Sequence, residues 1–156
     1  MVCRIIDMLN SSKLMPDTKR AYLLGKHLWG VLGEMMEQNI TYGEVTGGPG
    51  TAMSKDIANE QEFKARLRLI DNDLAEQARI VLEGVENYFK CGEMPAPYYA
   101  WRIGVILRKA KAYSLEADFL EAFSSHFRHG NGSRYRQIAK RANKARALAE
   151  KHNSNR

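Results

Sequence analysis

The feature that most limits what this chain can fold into is an apolar stripe through its middle. Phe63, Leu67, Ile70, Leu74, Ala78, Val81, Val85 and Tyr88 follow one another at intervals of 4, 3, 4, 4, 3, 4 and 3 residues. Charged residues fill the positions between them. That interval is one face of an α-helix and fits no strand, whose faces repeat every second residue. A single helix over residues 55–90 would reach about 50 Å at ~1.5 Å per residue, which exceeds the usual length in a small domain. The pair Asp73 and Glu76 offers a fresh capping box, so a break is expected near Asp71-Asn72-Asp73. Gly92, Pro95 and Pro97 then end the helical stretch.

The rest of the chain also reads as helix. Val2 to Leu9 is a short apolar stretch of undetermined type. Asp17, after Pro16, is a candidate N-cap for a helix whose stripe is Ala21, Leu24, Leu28, Val31 and Met35. Gly25, Gly30 and Gly33 in that helix are expected to let a neighbouring helix approach closely. Residues 98–109 and 115–127 form two more helices joined by a turn at Lys111-Ala112-Tyr113-Ser114. Ser133 caps a last helix that runs to about Ala149. Residues 39–54 look unlike helix: Ile40 to Val45 is either a short strand or one turn capped by Thr41 and Glu44, and Thr46-Gly47-Gly48-Pro49-Gly50 is loop. The fold class is therefore all-α. With 156 residues the chain is one domain's worth of length, expected over 1–152 with a Gly-rich loop at about 43–53 and a frayed tail at 153–156.

Charge is unevenly spread. Residues 1–94 carry 11 Lys/Arg against 14 Asp/Glu, whereas residues 95–156 carry 13 against 4. The last 29 residues alone hold nine basic residues and one acid, Glu150. In the last helix Arg136, Lys140 and Lys144 repeat every four residues, flanked by Arg134, Arg141 and Arg146, while Tyr135, Ile138, Ala142, Ala145 and Leu148 make a thin apolar stripe. A basic block of this density suits phosphates, an acidic membrane face or an acidic protein, and Tyr135 can add base stacking. A solvated helix face accounts for it equally well. No uncharged apolar run is long enough to span a bilayer. The first residues lack the long apolar core of a secretory signal. Cys3 and Cys91 have no CxxC spacing, so a reduced, cytoplasmic setting is expected.

Within residues 97–127, Ile103-Gly104, Leu107 and Tyr113 fall at positions that give the segment its character. The segment resembles a tetratricopeptide-type helical hairpin, with Ile103-Gly104 placed like that family's Leu-Gly pair and Tyr113 at its turn tyrosine. Ala100 stands where the family has a bulky residue and Glu116 where it has a close-packing Ala. No Pro closes the unit, and no second copy accompanies it. Any antiparallel helix pair also favours a small residue at its crossing. The resemblance implies a protein-binding scaffold without catalytic chemistry.

Catalytic constellations are not evident. Gly48-Pro49-Gly50-Thr51-Ala52-Met53-Ser54 lacks the Gly-Lys that a phosphate loop needs before its Ser. His126 and His129 lie three apart but no carboxylate or Cys joins them, so no metal site is expected. Ser124 and Ser125 beside His126 have no orienting acid. Asp71 and Asp73 diverge on a helix and serve solvation or capping. The expectation is a non-catalytic interaction module without cofactor, using Arg134, Tyr135, Arg136, Lys140, Arg141 and Lys144 on an acidic protein partner. The alternative is a nucleic-acid-binding accessory protein using the same helix. Oligomeric state is not legible.

Overall fold

A computed structural model describes residues 1–38 and 60–154. The Gly-rich loop, the Ile40 to Val45 segment and the loop that was compared with a phosphate cradle lie outside the described residues. Those described form seven helices and no strand: α1 (Val2–Ser11), α2 (Asp17–Gln38), α3 (Glu60–Ile70), α4 (Leu74–Cys91), α5 (Pro97–Lys109), α6 (Tyr113–Phe127) and α7 (Ser133–Ser154). The fold is all-α, and the undetermined first stretch is helix α1. No helix among the described residues is long and apolar enough to cross a membrane.

The expected break in the central stripe falls at residues 71–73, between α3 and α4. Its cause is the cap: Asp73 Oδ1 accepts a hydrogen bond from the Glu76 backbone N–H at 3.0 Å. Only that half of the capping box forms. The Glu76 carboxylate is instead held by Arg79, whose Nε and Nη2 donate at 2.9 and 2.7 Å. That hydrogen bond lowers the Glu76 pKa below the usual carboxylate range. At its other end α4 stops on Gly92, whose φ of +79° belongs to the left-handed region and whose N–H reaches the Tyr88 carbonyl at 2.9 Å. A side chain there would also strike the Arg20 carbonyl of α2, 2.6 Å from where a Cβ would sit. Helix α5 ends the same way on a less willing residue, Lys111, at φ +58°. The Lys111 and Ala112 N–H groups close back onto Arg108 and Leu107, the two bonds of a Schellman motif.

The chain divides into two compact units. The first comprises residues 1–14, 72–79 and 97–156; the second comprises residues 15–71 and 80–96. In the first, α6 packs against α1, α5 and α7, and α5 also meets α7. Helix α6 is buried on more than one face, through Ala117, Phe119, Leu120, Ala122, Phe123 and Phe127. Its three phenylalanines form a ladder with ring centroids 6.2 and 4.7 Å apart. His126, in the last turn of α6, reaches across to the Leu9 carbonyl at the end of α1, Nε2 to oxygen 2.9 Å. Helix α7 lays down Tyr135, Ile138, Ala142, Ala145 and Ala149. Ala149 takes the place expected of Leu148, which is exposed. The helix continues through Ser154, past the expected end, with Ser154 Oγ donating to the Glu150 carbonyl at 2.9 Å.

Gly104 is the tight point of the first unit. A Cβ there would lie 3.2 Å from both Leu120 Cδ2 on α6 and Arg141 Nε on α7. Gly104→Leu is therefore expected to cost about 1–3 kcal/mol through overpacking, read as a lower urea midpoint with unchanged slope. A Leu variant as stable as the parent would show that the crossing is loose.

The described part of the second unit is leaner. Of the buried apolar residues described, nineteen belong to the first unit and five (Val31, Ile80, Val81, Val85 and Tyr88) to the second. Only Val31 of the expected α2 stripe is buried, while Leu28 is exposed. Tyr22, Trp29, Leu32 and Met36 of α2 are also exposed, Trp29 at 75% and Met36 at 78%. Among the described residues nothing lies within 4 Å of a Cβ built on Gly25, Gly30 or Gly33, so no described helix makes the close approach expected at these glycines.

Candidate nucleic-acid or protein interface

Helix α7 sorts its cations into two groups by direction. Arg141 and Arg146 turn onto α6. Arg141 Nε donates to Glu116 Oε1 at 2.8 Å and its Nη2 to the Gly104 carbonyl at 3.1 Å. Arg108 of α5 grips the same carboxylate from the other side, through Nε to Oε2 and Nη2 to Oε1 at 3.0 Å. Glu116 is wholly buried, and both of its oxygens are satisfied by these two guanidinium groups. Desolvating a carboxylate is tolerable only with such pairing. The absence of a Cβ on Gly104 is what admits Arg141 to this position. Arg146 in turn binds Asp118 at 2.6 Å and Glu121 at 2.9 and 2.6 Å. The hydrogen bonds it donates to Glu121, then that to Asp118, hold its guanidinium pKa above the ordinary value.

Arg136, Lys140 and Lys144 face the other way. All three are exposed. None makes an ion pair or hydrogen bond among the described residues. Successive members are separated by about 6 Å of helix rise, so the row is about 12 Å long. Arg134 lies between the two groups: its Nη1 donates to Gln137 at 2.9 Å, and it sits 5.1 Å from the Trp101 ring centre, with Arg141 at 5.0 Å from the same ring. Tyr135 is 6% exposed, and its ring fills the space beside Gly130, where a Cβ would lie 2.6 Å from it. Of the six residues singled out by sequence, then, three stand in solvent together, Arg134 is half-buried, and Arg141 and Tyr135 are built into the unit.

The remaining chemistry is sparse. His126 and His129 are employed separately, the first on Leu9, the second accepting from Arg128 Nε at 3.0 Å. Ser125 Oγ donates to the Ala122 carbonyl at 2.7 Å. In the second unit His27, Cys91 and Glu93 bring three ligand-type atoms within 4.8 Å of one another. The sequence reading passed over this group because His27 and Cys91 are 64 residues apart. The one local signal was Cys91-Gly92-Glu93, where a left-handed glycine at a helix end turns the next side chain back. Comparison of the chain with protein-family models, curated proteins and solved structures finds no match.

Proposed function

We propose that the chain is a non-catalytic protein-interaction module that presents Arg136, Lys140 and Lys144 to an acidic protein surface. The observation that carries this is the division within α7: its inward cations are neutralised by Glu116, Asp118 and Glu121, while the outward three have no partner among the described residues. Carboxylates at i and i+4 on a partner helix share the row's pitch of about 6 Å. The hairpin α5–α6 serves as the rigid scaffold. Gly104 against Leu120 supports a repeat-like crossing, with the Glu116 cluster in place of the family's small residue. Free Cys3 and Cys91 suit a reducing, cytoplasmic setting.

Nucleic acid fits the same row less well. Three phosphate contacts give a log–log salt slope of only about −2.7 on duplex DNA, well short of the 6–10 contacts of a committed binder. With Tyr135 inside the unit, the row also lacks that stacking platform. The test is fluorescence anisotropy of a helical peptide bearing Glu at four-residue spacing, run beside random-sequence DNA and RNA across a salt series. The peptide is expected to bind at low salt and to lose binding when all three residues become Gln. That triple change touches no packed group and should leave stability within about 0.5 kcal/mol. Binding of DNA or RNA with a slope that flattens by about two to three units in the triple variant would replace the protein reading with the nucleic-acid one. No binding of any probe would remove the row as a site.

A further inference from the structure

We propose that His27, Cys91 and Glu93 form a binding site for a zinc-class divalent cation within the second unit. The three residues offer one nitrogen, one sulfur and one oxygen, all within 4.8 Å of one another and all half-buried. Around zinc, ligand atoms at bond lengths of 2.0–2.3 Å stand about 3.5 Å apart, so closure asks for movements of about 1 Å. Glu93 can supply most of that movement, because it lies beyond the end of α4. His27 and Cys91 are fixed on two helices and need supply little.

Local backbone chemistry explains the convergence. Gly92 takes the left-handed conformation that ends α4 and so turns Glu93 back beside Cys91. The same residue lets the end of α4 come against the α2 backbone at Arg20, two helical turns before His27 on the same side of α2. The three donors line a cleft of about 460 Å³, together with Lys26, Glu34 and Lys90. A second observation marks the site as made for a ligand: His27 Nε2 is buried and has no hydrogen-bond partner among the described residues. A buried polar atom without a partner is uncommon in native structures and calls for one.

The donor set selects the metal. One thiolate and one imidazole with one carboxylate is a borderline-soft combination that suits zinc and excludes magnesium and calcium, which take oxygen shells. Two anionic ligands neutralise the dication, and Glu34 offsets one of the two lysines that line the cleft. To ligate, the Cys91 thiol releases its proton to solvent and with it loses the hydrogen bond it donates to the Asn87 carbonyl at 3.1 Å. Three protein ligands leave a fourth position for water. The bound ion joins α2 to the end of α4 within the second unit, so its binding energy adds to the stability of that unit.

The experiment is zinc titration calorimetry on the full chain, purified without a histidine tag and stripped of metal, with cobalt substitution in parallel. One zinc per chain is expected at micromolar concentration, with a thiolate-to-metal charge-transfer band in the cobalt form and a thermal midpoint that rises with added zinc. His27→Ala, Cys91→Ser and Glu93→Gln should each weaken binding by about tenfold or more, and Cys91→Ser should abolish the band. Cys3→Ser should bind as the parent does. Glu93→Gln preserves size at a half-buried position past a helix end, so weaker zinc binding with an unchanged helical signal separates loss of a ligand from loss of fold. Absence of saturable binding, parental affinity in Cys91→Ser, or parental affinity in Glu93→Gln overturns the site.

Discussion

Glu116→Ala is expected to destabilise the first unit by about 3–5 kcal/mol, among the largest effects of any single substitution outside a ligand site. The carboxylate is wholly buried between Arg108 and Arg141, and removing it leaves two guanidinium groups facing each other across a cavity. The two arginines retain 30% and 17% of their side-chain exposure. Water can therefore replace part of what is lost, which places the expectation near the lower figure. Glu116→Gln should fall between the parent and the Ala variant, because an amide oxygen still accepts while its NH₂ group opposes a guanidinium. Combining Glu116→Ala with Arg141→Met should recover part of the loss, since the stranded charge goes with it. The measurement is urea unfolding in a Trp29→Phe background. Trp101, which lies against Arg141, is then the one tryptophan and reports the first unit. A Glu116→Ala variant within about 1 kcal/mol of its parent would show that the ion cluster contributes specificity of packing rather than stability.

Glu116 also shows where a sequence pattern stops. The residue is visible as a departure from the tetratricopeptide-type pattern, a Glu in place of a close-packing Ala. Its role depends on Arg108, eight residues before it, and on Arg141, 25 residues after it, a pairing that no local rule encodes. The same limit governs α7. Net charge identifies the helix as basic but cannot divide Arg141 and Arg146, which find acids on α6, from Arg136, Lys140 and Lys144, which find none among the described residues. Tyr135 was attractive as a stacking residue because it sits among arginines. It also begins the apolar stripe, and burial won.

What proved legible was local. The break at 71–73 follows from the Asp73 cap, the end of α4 from Gly92, and the α5–α6 turn from the residues around Lys111. Helix α2 shows the converse. Its period was right and its helix exists, yet of its five stripe residues only Val31 is buried, because periodicity gives a face and not the neighbour that covers it. The grouping of His27 with Cys91 and Glu93 is invisible in the sequence for the related reason that the companions of His27 come from the end of another helix.

The central apolar stripe supplies the second large effect, since residues equivalent in the pattern are unequal in the structure. Val85→Asp is expected to cost more than about 4 kcal/mol, combining ~1.5–3 kcal/mol of lost apolar burial with the desolvation of a carboxylate that has no partner. Val85 is completely buried, so the new group cannot reach water without opening the unit. Leu74→Asp belongs to the same stripe but falls on the first residue of α4 and is only half-buried. There an acid interacts favourably with the helix N-terminus by about 0.3–1 kcal/mol, against a partial loss of burial and mild repulsion from Asp73 and Glu76. The net cost should stay below about 1.5 kcal/mol. Far-UV circular dichroism during thermal and urea unfolding reads both variants. Val85→Asp should lose helical signal at low denaturant while Leu74→Asp follows the parent. Equal losses would mean that the N-terminal end of α4 is as deeply committed to a core as its middle, and would overturn the burial difference along the stripe.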